Sequence, residues 1–149
     1  MRIIETQSVP EVSLTAPPSS SSSKTYIVMS LDIDAPFPSF GFLGPVLHWI
    51  QPGLKAELSP DTEGSQVLKL KATEPFVANY IGAAPPPGSS PHRYTFLLYE
   101  QPEGFDGSKY APPDGQPAGI WYRMRYDMDS WAKEINLGPV LAFNYFNSN

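Results

Sequence analysis

The chain has 149 residues, of which 41% are hydrophobic and 18 are proline, and its formal net charge is −5. This length predicts a single domain over residues 1–149 with its own core, and no apolar run reaches the length of a membrane span. The acidic balance argues against a nucleic-acid partner, and the absence of cysteine excludes disulfides and thiolate metal sites. Because no apolar signal core follows Met1, we expect a cytoplasmic protein.

The first elements are a weak strand, a loop and a strong strand. Residues 7–15 alternate weakly and predict an edge strand, since Pro10 cannot donate a hydrogen bond to a central ladder. The Ser- and Pro-rich stretch 16–24 predicts a mobile surface loop. Residues 25–34 predict a buried strand by their period of two. One face would carry Ile27, Met29, Leu31 and Ile33, and the other Tyr26, Val28, Ser30, Asp32 and Asp34.

Two acids close this strand before Ala35 and Pro36. Both side chains suit a turn, in which a carboxylate accepts hydrogen bonds from nearby backbone N–H groups. The alternative is that Asp32 lines a pocket, where it orients an imidazole or holds a cation. The residues alone leave both interpretations open.

The middle of the chain contains two further predicted strands. Residues 45–51 predict a strand with Val46, His48 and Ile50 on one face. The segment 54–66 is charged and predicts an irregular connection. Residues 68–72 alternate cleanly and predict a half-exposed strand.

Residues 83–101 combine a rigid turn with a strand. Pro85, Pro86 and Pro87 fix φ, and Gly88 gives the chain freedom to turn. Residues 92–100 are rich in aromatic and apolar side chains and predict a strand. His92, one of two histidines in the chain, lies at the junction.

The C-terminal part adds a helix and a last strand. Residues 101–119 are rich in turn-forming types. A short helix is predicted near 128–136, with Asp127 or Asp129 as N-cap and a stop after it. Residues 140–146 predict a strand that completes the sheet. The fold class is therefore mainly β with one short C-terminal helix.

The two histidines and Asp32 are the candidates for site chemistry. The spacing of a helical zinc site is missing, and no nucleophile elbow or Gly-rich phosphate loop occurs, so neither a metal nor a cofactor is predicted. Either histidine alone is typical of a hydrogen-bonded core residue. His48 and His92 together, with Asp32, Pro86 and Tyr94, favour a binding site.

Four motifs resemble those of the phosphatidylethanolamine-binding protein (PEBP) family. Residues 32–36 resemble its Asp-Pro-Asp-Ala-Pro signature with an isoleucine in place of the middle proline, and residues 47–50 resemble its second signature. Residues 85–101 resemble its Pro-Pro…His-Arg-Tyr…Tyr-Glu-Gln run. Residues 123–126, 136–138 and 144–146 resemble its C-terminal block, in a form most similar to fungal members. The motifs keep the family's order.

This resemblance implies a large antiparallel sheet packed against a smaller one, with a small anion pocket at one end of the large sheet. The implied pocket residues are Asp32, Pro36, His48, Pro86, His92 and Tyr94. Imidazole donors suit a phosphate, a carboxylate or a phospholipid head group, and Asp32 would orient a histidine. No counterpart of the long C-terminal helix of animal members follows Phe146, so we expect a more open pocket.

Three functions are compatible with the resemblance. The first is binding of a small anionic ligand by a non-catalytic module, which the lack of a nucleophile favours. The second is a catalytic or accessory role in fungal natural-product biosynthesis, such as the dimerising cyclisation of maleic-anhydride units to maleidrides. His48 or His92 would then act as a general base beside Asp32. The third is inhibition of a protease or kinase, with that enzyme as the protein partner.

Overall fold

Seven strands joined by antiparallel hydrogen bonds form one sheet in the computed structural model of the protein, which describes residues 1–4, 7–14, 24–60 and 66–149. The strands are β1 (Arg2–Ile4), β2 (Glu11–Leu14), β3 (Thr25–Asp32), β4 (Val46–Pro60), β5 (Gln66–Ala72), β6 (His92–Glu100) and β7 (Ala142–Ser148). Two helices, α1 (Ile120–Arg123) and α2 (Met128–Glu134), lie between β6 and β7, after two 3₁₀ turns at Gly107–Lys109 and Pro113–Gly115. Apart from Lys24, the loop predicted at 16–24 lies outside the described residues.

The strand order is β1-β2-β5-β4-β3-β6-β7, so β3 lies between β4 and β6. Asp32, the last residue of β3, is opposite Val46 on one side and Tyr94 on the other. The end of β3 and the starts of β4 and β6 therefore meet at one end of the sheet. This topology brings together residues that are far apart in the sequence.

Strand β3 packs apolar side chains on both faces, as its period of two predicts. Ile27, Met29 and Leu31 join a core cluster that also contains Trp131 and Ile135 at helix α2. Tyr26 and Val28 join a second cluster with Trp49, Tyr94 and Phe96. Each fully buried aliphatic side chain of this size stabilises the fold by about 1.5–3 kcal/mol relative to exposure.

The predicted mainly β fold is confirmed, and the smaller sheet is continuous with the larger one. Strand β4 pairs with β3 along its first part and with β5 over Leu54–Pro60, so one long strand belongs to both layers. The second cluster contains Val12 of β2 and Leu70 of β5 together with Phe96 of β6. The side chain of Asn144 on β7 donates to the carbonyl of Met1 at 3.3 Å. The sheet thus folds over onto itself.

Several element boundaries differ from the predictions. Strand β2 is not an edge, because β1 pairs beyond it. The charged segment from residue 54 continues β4 up to Pro60, because its residues pair with β5, although it was predicted to be irregular. Helix α1 was not predicted. Helix α2 is confirmed, and its N-cap is Asp127, whose Oδ1 accepts from the backbone N–H of Ser130 at 3.0 Å. No helix in the described ranges is long and apolar enough to span a membrane.

Candidate functional site

Asp32 and His92 form a buried hydrogen-bonded pair at the end of the sheet. Asp32 Oδ2 lies 2.8 Å from His92 Nδ1, and the two residues are 4% and 1% exposed. Asp32 Oδ1 accepts from the backbone N–H of Asp34 at 2.9 Å. Because a carboxylate only accepts hydrogen bonds, Nδ1 of His92 carries the proton. Asp32 therefore both shapes the turn after β3 and orients an imidazole, which combines the two interpretations of its role.

The other ring nitrogen of His92 lacks a protein partner. Nε2 is buried and forms no hydrogen bond with any described residue. A buried polar atom without a partner costs about 1–3 kcal/mol. Nε2 accepts a hydrogen bond when the ring is neutral and donates one when the ring is protonated. The arrangement suits a polar ligand atom at Nε2.

His48 lies at a bulge in β4. Ser30 pairs with Trp49 and Leu31 pairs with Leu47, so His48 is an extra residue in β4. A bulge places consecutive side chains on one side of a strand, and His48 contacts Tyr94, which shares a cluster with Trp49. The prediction that Val46, His48 and Ile50 share a face was therefore wrong, since Ile50 packs in the opposite cluster with Leu47.

The His48 ring is held neutral in the interior. Its Nδ1 lies 2.9 Å from the backbone carbonyl of Ile81, to which it donates. Burial lowers the pKa of the His48 imidazole below its usual value, while the hydrogen bond to Ile81 acts in the opposite direction. His48 therefore shapes the site mainly as an uncharged ring.

The ring of Tyr94 connects the two histidines. It contacts His48 edge-on at a centroid distance of 5.0 Å and lies nearly parallel to His92 at 6.4 Å. Burial, and next the Asp32 carboxylate, raise the pKa of the Tyr94 phenol. Tyr94 also stacks on Phe146 of β7 at 5.3 Å. Phe146 was not predicted near the site, and the available signals were its place in a strand expected to complete the sheet and in the motif that resembles the family's C-terminal block.

The four candidate side chains lie in the interior of the protein. Asp32, His48, His92 and Tyr94 are all buried, and the ring of Phe146 covers that of Tyr94 by stacking on it. None of the four cavities that we find among the described residues is lined by these four side chains. A ligand that reaches Nε2 of His92 must therefore displace part of this cover.

Pro36 and Pro86 lie in the loops beside the pair. Pro36 follows a cis Ala35–Pro36 peptide just after β3, and it is partly exposed. The carbonyl of Pro86 accepts from the N–H of Ser89 at 3.1 Å, and Gly88 has a φ of 82°. The rigid proline turn predicted before β6 is therefore present, because Gly88 supplies the positive φ that this turn requires.

Asp34 and Arg93 form a second acid–base pair next to the first. The guanidinium of Arg93 donates to both carboxylate oxygens of Asp34 at 2.8 Å, and the backbone N–H of Arg93 donates to Oδ2. These bonds to Arg93 hold the pKa of Asp34 below its usual range. Asp34 is thus a charge-compensated anchor between the loop after β3 and strand β6.

Arg123 donates hydrogen bonds to the backbone at the bulge in β4, a role that the sequence did not predict. Its buried guanidinium donates to the carbonyls of Leu47 at 3.1 Å and Ala118 at 3.0 Å, and to the Asn79 side-chain oxygen at 2.6 Å. A longer contact of 3.4 Å reaches the carbonyl of His48. The His48 carbonyl also accepts from the backbone N–H of Ile81 at 3.0 Å, so Arg123 and Ile81 together hold the backbone that carries His48.

Metal chemistry has no obvious ligand set here. No group of three His, Asp or Glu side chains within the described part of the chain is arranged to hold a metal ion. The Asp32–His92 pair with His48 and Tyr94, called the Asp32–His92 cluster below, is suited to hydrogen bonding and to proton transfer.

Comparison with known proteins relates the sequence of the chain to one family. The sequence model of the phosphatidylethanolamine-binding protein family matches residues 4–146. The chain is 33% identical over 128 residues to the carboxypeptidase Y inhibitor of Saccharomyces cerevisiae, a match that covers 81% of this chain and 58% of that protein. It is 32% identical over 124 residues to the phomoidride biosynthesis cluster protein N of Talaromyces stipitatus, covering 81% of this chain and 57% of that protein.

Solved structures give the same result for the fold. The carboxypeptidase Y inhibitor in the crystal structure with its cognate proteinase matches with a TM-score of 0.70 and 27% identity, over 95% of this chain and 71% of that one. A phosphatidylethanolamine-binding protein from Plasmodium vivax matches with a TM-score of 0.59 and 20% identity, over 95% of this chain and 72% of that one. The chain spans less than three fifths of the length of the two curated relatives named above.

Proposed function

The chain belongs to the phosphatidylethanolamine-binding protein family, and from this premise we propose that it binds a small anionic ligand at the Asp32–His92 cluster. The ligand carries a phosphate or a carboxylate, as a phospholipid head group does. The observation that supports this proposal is Nε2 of His92, which is buried and lacks a protein partner among the described residues. A protonated imidazole at this point would donate a charge-assisted hydrogen bond to an anionic oxygen.

The surrounding charges favour an anion when His92 is protonated. Asp32 is adjacent, but its charge is then balanced by the imidazolium that it contacts at 2.8 Å. Asp34 is already paired with Arg93 at 2.8 Å and adds little repulsion. An anion at Nε2 of a protonated His92 would therefore meet little uncompensated negative charge.

A titration with inorganic phosphate, followed by NMR, tests the proposal. Wild-type protein should bind phosphate, and His92→Ala should lose most of this affinity because the donor is gone. Lys109→Ala is the control for nonspecific binding of phosphate to surface cations, since Lys109 is exposed on the 3₁₀ turn Gly107–Lys109. Equal affinity in wild type and His92→Ala, or loss of affinity in Lys109→Ala alone, would contradict the proposal.

A catalytic or accessory role in natural-product biosynthesis is compatible with the same cluster. The similarity to a phomoidride biosynthesis cluster protein favours this candidate. His92 or His48 would act as a general base, with Asp32 orienting His92. His48→Ala and His92→Ala would then abolish turnover of an anionic intermediate at unchanged affinity, whereas a pure binding role predicts that affinity is lost.

Inhibition of a protease is the third candidate function. It would depend on contacts between the protein surface and the protease, without use of the Asp32–His92 cluster. It is supported by the similarity to the carboxypeptidase Y inhibitor, whose structure was determined with its cognate proteinase. In this case both histidine substitutions should leave inhibition intact, because the cluster is buried. Measurement of carboxypeptidase activity against wild type and the two variants separates this function from the others.

A further inference from the structure

A cavity lies away from the Asp32–His92 cluster, and no residue of the cluster lines it. It has a volume of about 640 Å³ and is lined by residues 74–76, after β5, and by residues 105–108 and 111–115, after β6. His92 begins β6, whereas the cavity residues from Phe105 onward follow the end of this strand at Glu100. We call this cavity the acidic cleft.

The walls of the acidic cleft are apolar and held in place. Phe76, Phe105 and Pro112 are among its lining residues. The ring of Phe105 stacks on Tyr110 at 5.8 Å and meets Trp131 edge-on at 6.1 Å, which fixes its orientation. The backbone of Gly107 packs closely against Val77, since a Cβ added at Gly107 would lie 3.2 Å from a methyl carbon of Val77. The cleft is therefore a preformed site in the size range of small-molecule pockets.

Every charged side chain that lines the acidic cleft is a carboxylate, from Glu74, Asp106 or Asp114. None of the three forms an ion pair with a described residue. Asp106 uses Oδ1 to accept from the N–H and hydroxyl of Ser108, and Glu74 uses Oε1 to accept from Gln101. These bonds fix the two carboxylates in place and leave one oxygen of each available.

From this combination we infer that the acidic cleft binds a small organic cation with an apolar body, such as an arylalkyl ammonium ion. The aromatic and proline walls would bury the body, and the carboxylates would pair with the charged group. A cation also interacts favourably with the face of an aromatic ring, which Phe76 and Phe105 supply. The same charges exclude an anion, so this site is separate in place and in ligand from the Asp32–His92 cluster.

Three probes that share a phenylethyl body test the sign of the charge. These are 2-phenylethylammonium, neutral 2-phenylethanol and anionic 3-phenylpropionate, each titrated into the full chain and followed by amide NMR shifts. The cation should bind most tightly, with shifts at residues 74–76 and 105–115, and the anion should not bind there. Equal affinity for cation and anion, or shifts confined to other residues, would overturn the inference.

Substitutions test the location. Asp106→Asn with Asp114→Asn should weaken cation binding about fivefold, the equivalent of about 1 kcal/mol of charge pairing. Asparagine retains the capping role at Asp106 and tolerates the φ of 58° at Asp114. Glu103→Gln is the matched control, because this exposed acid belongs to the same segment but does not line the cleft. Retained affinity in the double variant would contradict the site.

Two further variants test whether the cation occupies the cleft itself: Ala111→Phe blocks the cleft, and His92→Ala alters only the Asp32–His92 cluster. Ala111→Phe places a ring in the cleft and should abolish cation binding. If this variant does not fold, the asparagine variants decide the question alone. His92→Ala should leave cation affinity unchanged, since the two sites lie at opposite ends of β6.

Discussion

The Asp32 carboxylate accepts a hydrogen bond from Nδ1 of His92 at 2.8 Å, and both groups are buried. This contact joins the last residue of β3 to the first residue of β6, across 60 positions of the chain. It determines the tautomer of His92 and directs Nε2 away from Asp32. The chemistry of the cluster depends on it.

Asp32→Asn should destabilise the protein by about 2 kcal/mol, because a buried charge-assisted hydrogen bond becomes a neutral one and the backbone of Asp34 loses its carboxylate acceptor. Urea denaturation measures the change. Glu103→Gln, an exposed acid, serves as control and should shift stability by less than about 0.5 kcal/mol. An Asp32→Asn variant as stable as wild type would show that the pair contributes nothing net.

Arg123→Lys should cost about 3 kcal/mol, because an ammonium cannot satisfy the carbonyls of Leu47 and Ala118 and the Asn79 side chain together. The matched control is Arg125→Lys, since Arg125 is exposed. Denaturation curves of the two variants give the comparison. Similar stability for both would contradict the role of Arg123 at the bulge.

Stability should fall as the pH drops from 7 to 5, and His48 should cause part of this loss. Its pKa is lower in the folded protein than the ordinary value of 6.5, so the unfolded chain binds more protons over this range. The contribution is fully present above the unfolded value and is lost as the pH falls below it. His48→Gln should flatten the profile of unfolding free energy between pH 7 and 5. An unchanged slope would show that His48 does not titrate in this way.

Gly53→Ala should be more destabilising than Gly104→Ala. Both glycines have positive φ, 68° and 72°, so both variants carry the same backbone strain of about 1 kcal/mol. An added Cβ at Gly53 would lie 2.5 Å from side-chain atoms of Glu74, whereas Gly104 has no atom within 4 Å. The Gly53 variant should therefore lose about 3 kcal/mol in total. Thermal unfolding of the pair checks this, and equal losses would show that the chain at Glu74 relaxes freely.

The strands that could be predicted are those with unbroken periodicity. Strands β3 and β6 alternate or run apolar over their whole length, so local pattern and final packing agree. Strand β4 was predicted too short because its charged second half pairs with β5, and pairing between strands does not appear in local composition. The bulge at His48 places Ile50 on the face of β4 opposite to the predicted one. No residue type in the sequence indicates where a strand contains an extra residue.

The proximity of Asp32, His48, His92 and Tyr94 could be predicted, but the stacking of Phe146 on Tyr94 could not. The family motifs named Asp32, His48, His92 and Tyr94, and the strand order places them together. The cover by Phe146 and the support by Arg123 depend on contacts across 52 and 75 positions, with Tyr94 and with the carbonyl of His48, respectively. Such contacts arise from tertiary packing, which a single sequence does not encode in any local pattern.

The most direct test of anion binding at His92 is ¹⁵N NMR of its imidazole ring during a titration with inorganic phosphate. Binding at Nε2 predicts that the resonance of this nitrogen shifts as phosphate is added, while Nδ1 stays bonded to Asp32. An Nε2 resonance that remains unchanged while phosphate binds elsewhere, or throughout a titration without binding, would contradict the proposed site.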